Sequence, residues 1–229
     1  KVAEPGPRGF LLIGANPVSR AIGKALQQNN FPVLLIDSNW ESIRSARMEG
    51  LSTFYGNPVS SHADQHLDLV GYGKLLGLSP RRELNTVATM RYRLEFGEPN
   101  VYSLPWVSEK EDKHEVAAHH RGATLFSNEA SYARLASLIS QGADIRRTRI
   151  TEEFSFKAYL AVEDRQVWPL FAIDPRDRIH VFTAEAQPEP RPGWSVMALI
   201  KDDAKEERVS EKASEKASEK GAGKGTDRG

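Results

Sequence analysis

The chain has 229 residues, 31 basic and 31 acidic, and is 39% hydrophobic. That length suffices for one large domain or two small ones with a real core, and the balanced charge favours no polyanionic partner, so no nucleic acid is expected. The absence of cysteine excludes disulfides and thiolate chemistry, and no apolar run approaches the roughly 20 residues of a membrane-spanning helix.

Residues 9–14, GFLLIG, read as a short buried strand, apolar on both faces and bounded by glycine. The next segment has helical spacing at Val18, Ile22 and Leu26, with Asn16 as N-cap and Pro17 at the first helical position, where a missing N–H costs little. FPVLLID is a second buried strand that ends at Asp37. A helix over NWESIRSARMEG stops at Gly50, and LSTFYG is a third strand. NPVSSHADQHLDLVGY, residues 57–72, is expected to begin a third helix by the same cap chemistry. GKLLGLS is a fourth strand, followed by an amphipathic helix with Leu84, Val87, Ala88, Tyr92 and Leu94 on or near one face. NVYSLPW is a fifth strand. This alternation predicts an α/β, Rossmann-like doubly wound parallel sheet over about residues 8–107.

Residues 108–121 read as a polar linker or helix. Beyond them the pattern changes to a small α+β subdomain over 122–201. It comprises a strand at ATLFS, a helix from Asn128 to a stop at Gly142, an alternating strand ADIRRTRIT, a hairpin around DPRD and a last strand WSVMALI. Trp168, Phe171, Phe182 and Trp194 are expected in its core or at a dimer contact, and Arg146, Arg147 and Arg149 on a solvated strand face. Residues 202–229 repeat Ser-Glu-Lys-Ala and dissolve into glycine; with no apolar face to bury, this tail is expected to be disordered.

The turn after the first strand is the chemical signal. In a dinucleotide-binding G-x-G-x-x-G turn the first glycine makes the turn, the second admits the pyrophosphate and the third lets the helix pack. Here Gly14 fills the first place, Asn16 the second and Ser19 the third, and Asp37 closes the second strand 23 residues after Gly14, where an acid can hold ribose hydroxyls. Asn16 adds a side chain where phosphates would approach, and Pro17 removes an N–H from an anion-binding helix end. GANPVS is equally readable as a capped strand-to-helix turn. The same four residues, NPVS, return at 57–60 after the third strand, so Asn-Pro is at least partly a generic helix-start device here.

Together LLIGANPVSRAIGKAL, VLLIDSN, GLSTFYGNPVS, LLGLSPRRELN and VYSL resemble, in order and interval, the RCK (also called KTN, or TrkA-N type) domain that regulates potassium conductance. With PLFAID and PRPGWSVMALI added, the chain looks most like the cytoplasmic C-terminal region of bacterial sodium or potassium/proton antiporters. The resemblance implies an adenine nucleotide, NAD(H) or AMP/ATP, with Gly14, Asn16, Pro17, Val18 and Ser19 at the phosphate turn. Asp37 and Ser38 would fall at the ribose, Gly56 and Asn57 beside the adenine, and Ser79 on the lining. The chain departs from the family pattern at Asn16, Pro17, Ser19 and Asn57. A homodimer is implied, as is a membrane antiporter domain upstream on the same polypeptide, at the cytoplasmic face of the cell membrane. The start at Lys1, without methionine, fits a piece of something longer.

Other constellations are weaker. His62 and His66 lie four apart on an expected helix, and His114, His119 and His120 cluster, but spacing places no third ligand and no metal site is expected. Glu152 and Glu153 have no recognisable nucleophile or base beside them, so no catalytic residue is assigned. The leading expectation is a non-catalytic regulatory domain that senses a nucleotide and gates ion transport. The alternatives are a dimerisation module with a decayed ligand site and a small NAD-dependent oxidoreductase.

Overall fold

The computed structural model describes residues 6–105 and 122–202. The expected linker at 108–121, the histidines 114, 119 and 120, and the tail from 203 lie outside the described residues.

Five strands alternate with four helices as the sequence predicts: β1 (Gly9–Ile13), α1 (Pro17–Gln28), β2 (Val33–Asp37), α2 (Trp40–Met48), β3 (Thr53–Tyr55), α3 (Ser61–His66), β4 (Tyr72–Gly77), α4 (Arg82–Phe96) and β5 (Val101–Ser103). With β6 (Ala123–Thr124) they form a six-stranded parallel sheet in the order β3-β2-β1-β4-β5-β6. The order reverses between β1 and β4, which opens a crevice at the carboxyl ends of those strands, where doubly wound folds place their ligands. ATLFS was expected in the smaller unit; instead Ala123 and Thr124 pair with Tyr102 and Ser103 and edge the first sheet.

The remainder comprises α5 (Tyr132–Ser140), β7 (Asp144–Arg149), α6 (Phe156–Leu160), β8 (Arg165–Ile173), β9 (Ile179–Val181) and β10 (Ser195–Asp202). Its four strands pair antiparallel in the order β7-β10-β8-β9. β10 continues through Lys201 to Asp202, one residue into the expected tail, because both residues stay in register with β8. α6 was not anticipated; its five residues are too few to show a helical period, and only the Ser155 cap marks it.

One hydrophobic core joins the two sheets. Phe10 of β1 meets Phe31 edge-on at 6.1 Å and Phe171 of β8 at 5.9 Å. Full burial of such a ring contributes about 1.5–3 kcal/mol. Phe171 thus packs on the parallel sheet, whereas Phe182 lies in a separate cluster on the other face of the antiparallel sheet. The opposite face of the parallel sheet buries Leu11, Ile13, Ile36 and Leu75 under α3 and α4.

Three helices differ from expectation. α5 begins at Tyr132, not Asn128, because Ser131 caps it by accepting from the Arg134 amide. α3 is six residues long and is capped by Ser60, whose side chain accepts from the Ala63 amide. Asn57 does not cap it; its Oδ1 accepts from the Val59 amide, closing a tight turn before the helix begins. SHADQH carries one buried residue, Ala63, so nothing in it extends the helix by packing. On α4 the buried positions are Asn85, Ala88, Thr89 and Tyr92, while Val87 is 47% and Leu94 88% exposed. The helix turns Asn85 inward because that residue is needed by the β4–α4 turn, and Val87 and Leu94 rotate to the surface.

Candidate functional site: the crevice between β1 and β4

The first turn is held by three linked groups. Gly14 has φ +104°, which a side chain would strain, and a Cβ there would stand 2.8 Å from Asn16 Nδ2. Asn16 caps α1: its Oδ1 accepts from the Ser19 amide at 3.0 Å, with Pro17 in the first turn. Its Nδ2 donates across the switch point to the Leu78 carbonyl at 2.8 Å. Both ends of the Asn16 side chain are therefore engaged, and they tie the β1 turn to the β4 turn. Arg20 adds a bond from Nη1 to the Ala15 carbonyl and another from Nε to Glu49.

Asp37 closes β2 beside this turn. One carboxylate oxygen accepts from the Ala15 amide at 2.8 Å and the other from the Asn39 amide at 2.8 Å. An ionised carboxylate has about four lone-pair sites, so each oxygen keeps capacity for a ligand hydroxyl. The β4–α4 turn is locked as tightly. Asn85 Oδ1 accepts from the Ser79 amide at 3.0 Å and its Nδ2 donates to the Ser79 carbonyl at 2.8 Å. Ser79 Oγ accepts from the Arg81 amide.

These turns enclose a crevice of about 410 Å³ lined by Asn16, Asp37, Ser38 and Ser79, together with Asn39, Ser42, Pro80 and Arg81. Of the residues predicted from sequence, Asn16, Asp37, Ser38 and Ser79 thus share one wall. Gly14, Val18 and Ser19 lie buried behind it, and Pro17 faces solvent. Gly56 and Asn57 do not line the crevice; Gly56 is tied to it through its amide, which donates to the Asp37 carbonyl at 2.9 Å. Ser19 Oγ is fully buried and lacks a hydrogen-bond partner among the described residues. It stands 3.3 Å from the point where a Gly14 Cβ would be. Such an orphan usually signals a missing polar partner.

Sequence reasoning missed Asn39, Ser42 and Arg81. The first two were legible, since Asn39 stands three before Ser42 as a helix cap, and its Oδ1 accepts from the Ser42 amide. It also missed the aromatic pair beside Asp37. Trp40, 50% exposed at the start of α2, meets Tyr55 edge-on at 5.5 Å, and Tyr55 is the register partner of Asp37.

Among families, the one described as TrkA-N domain matches residues 10–123. The chain carries a TrkA-N domain. No protein of curated function matches the chain. Solved structures similar to it include the NAD(P)-binding domain of an exopolyphosphatase-related protein from Archaeoglobus fulgidus, 20% identical, covering 58% of this chain and 97% of that one at a TM-score of 0.42. The TrkA-N domain of the inner membrane protein ybaL from Escherichia coli is 18% identical and covers 42% of this chain and 71% of that one, with a TM-score of 0.36. The GsuK channel bound to NAD is 13% identical; the match covers 90% of this chain and 38% of the channel, with a TM-score of 0.44.

The described part of the TrkA-N domain holds the whole β1–β4 crevice. Among the described residues no helix is long and apolar enough to cross a membrane, and no group of three or more His, Cys, Asp or Glu side chains is placed to hold a metal. The His62 and His66 rings meet at 4.4 Å, tilted by 33°, and His66 Nδ1 lies 2.9 Å from the His62 carbonyl.

Proposed function

We propose that this TrkA-N domain is a non-catalytic regulatory module that binds an adenine nucleotide, NAD(H) or AMP/ATP, in the β1–β4 crevice. The observation that carries the reading is Asp37: at the end of β2 it lines the crevice with both oxygens oriented by backbone amides and both still able to accept ribose hydroxyls. The resemblance to antiporter C-terminal regions supports the wider assignment: a cytoplasmic domain, homodimeric, attached to a sodium or potassium/proton antiporter. Gating then requires the nucleotide to prefer one conformation of the assembly over another, since equal affinity shifts nothing.

A second reading has an observation in its favour. Asn16 fills the place of the second glycine and spends both ends of its amide on the fold. A module with a decayed ligand site would look the same. Calorimetry with NAD, NADH, AMP and ATP separates the two, run on the wild type and on Asn16→Gly, which reopens the phosphate approach. Saturable binding that tightens in Asn16→Gly is the expected result. No binding to either protein at millimolar ligand overturns the nucleotide reading. Asp37→Ala alone is a poor test, because it also removes two bonds that hold the turn. Turnover of a nicotinamide cofactor with alcohols or keto acids would revive the oxidoreductase alternative.

A further inference from the structure

A second concavity, of about 500 Å³, lies at the other edge of the parallel sheet. Arg8 just before β1, Phe31 just before β2 and Lys74 near the start of β4 line it from one side. The β8–β9 turn contributes Arg176 and Arg178, and β9 its first residue Ile179, from the other. Since the strands are parallel, these starts share the amino edge, away from the turns of Asn16, Asp37 and Ser79. The volume falls in the range of small-molecule sites, about 300–1,000 Å³.

The lining is basic in a chain whose formal net charge is zero. Arg8, Lys74, Arg176 and Arg178 face it against one lining carboxylate, Asp177, which pairs with Arg8 at 2.7 Å. Arg178 and His180 are oriented from behind by buried Asp174, at 2.7 and 3.0 Å. Burial alone would raise the Asp174 carboxyl, but hydrogen bonds from His180, from the Arg178 amide and guanidinium and from the Arg176 amide hold it well below its ordinary 3.8. It stays a carboxylate and fixes the turn. The Lys74 ammonium and the Arg176 guanidinium have no hydrogen-bond or ion-pair partner among the described residues. Lys74 is half-buried, and desolvation lowers its pKa. A cation held partly out of water without a partner is costly, and an anion arriving in the cavity offsets that cost. Arg8 lies 4.8 Å over the Phe31 ring, so charge and an apolar wall meet at the same place.

We propose that this amino-edge cavity binds a phosphate-bearing anion, with Lys74 and Arg176 as its free charges, Arg8 and Arg178 at the rim, and Phe31 and Ile179 as the apolar wall. Several converging cations favour a multiply charged group over a single carboxylate, and guanidinium forks suit phosphate oxygens. The ligand would bridge the two sheets, clamping the β8–β9 turn against the starts of β1 and β4. This site stands independently of the nucleotide reading at the other edge.

The test is calorimetry with inorganic pyrophosphate on the wild type, Lys74→Met, Arg176→Ala and Lys157→Met. Circular dichroism checks that each variant folds; Lys74→Met replaces a half-buried cation by an apolar chain of similar length and Arg176 is exposed, so both should. The expected result is saturable binding weakened at least tenfold in both Lys74→Met and Arg176→Ala and unchanged in Lys157→Met, an exposed lysine outside the cavity, with pyrophosphate protecting Lys74 from acetylation. No saturation by 10 mM, or binding that both substitutions leave intact, overturns the site. A sedimentation arm with phosphatidylcholine vesicles containing phosphatidylserine assigns the source. Vesicle binding lost in the same two variants supports a lipid headgroup, and pyrophosphate binding without vesicle binding supports a soluble phosphate.

Discussion

The residues Asn-Pro-Val-Ser stand at two places on one edge of the sheet and fold differently at each. At 16–19 the asparagine caps a twelve-residue helix and reaches across the switch point to Leu78. At 57–60 it closes a tight turn, and the helix waits for Ser60. The local chemistry is the same; the surroundings differ. The first copy follows a central strand with neighbours on both sides, and Val18, Ile22 and Leu26 behind it bury a face. The second follows the edge strand β3 and precedes a polar six-residue segment. A cap residue offers a helix start; an apolar period decides whether the helix takes it.

The largest expected effect that tests this contrast is Gly14→Ala. Its φ of +104° and the 2.8 Å approach to Asn16 Nδ2 leave no relaxed position for a Cβ. A loss of about 2–4 kcal/mol is expected from backbone strain and overpacking together, read from urea unfolding. A loss under about 1 kcal/mol would show that the first turn is as yielding as the second.

Asn16→Ala comes next. It removes a cap, at about 1 kcal/mol, and leaves the Leu78 carbonyl short of a donor at a cost of roughly 1–3 kcal/mol. Asn57→Ala, at an exposed turn, should stay within about 0.5 kcal/mol. Equal effects from the two substitutions would erase the distinction between a structural tie and a local turn.

The same contrast explains what the sequence made legible. β1, β2 and β4 announce themselves because both faces are buried, and the Gly14, Asn16 and Asp37 turn follows from their spacing. The length of α3 was not legible, since cap residues recur at Asn57 and Ser60 and only packing chooses between them. Nor was the inward face of α4. Apolar spacing favours Val87 and Leu94, but Asn85 must face the Ser79 turn, and a bonded buried amide outranks two leucine-like side chains at the surface. β6 was misplaced because a two-residue strand carries no period and its partner, β5, is set by topology. At the site, residues on strand ends were predictable. Arg81 and the Trp40–Tyr55 pair were not, because they come together only once the turns close.

Tyr92→Phe probes the second copy from outside. The Tyr92 hydroxyl donates to the Pro58 carbonyl at 2.6 Å, so α4 fixes the turn that Asn57 alone would leave loose. Burial pushes the phenol up to about 12, so it remains a donor across the ordinary pH range. Removing the hydroxyl leaves a buried carbonyl acceptor and should cost about 1 kcal/mol, with the ring still packed among Leu11, Ile13 and Ala88. The decisive readout is local: amide hydrogen exchange should quicken at 59–63 and stay unchanged at 14–16 and 18–19. If protection is lost at both turns, the two copies are coupled through the sheet. If it is lost at neither, the Asn57 turn holds itself and the contrast rests on Asn16 alone.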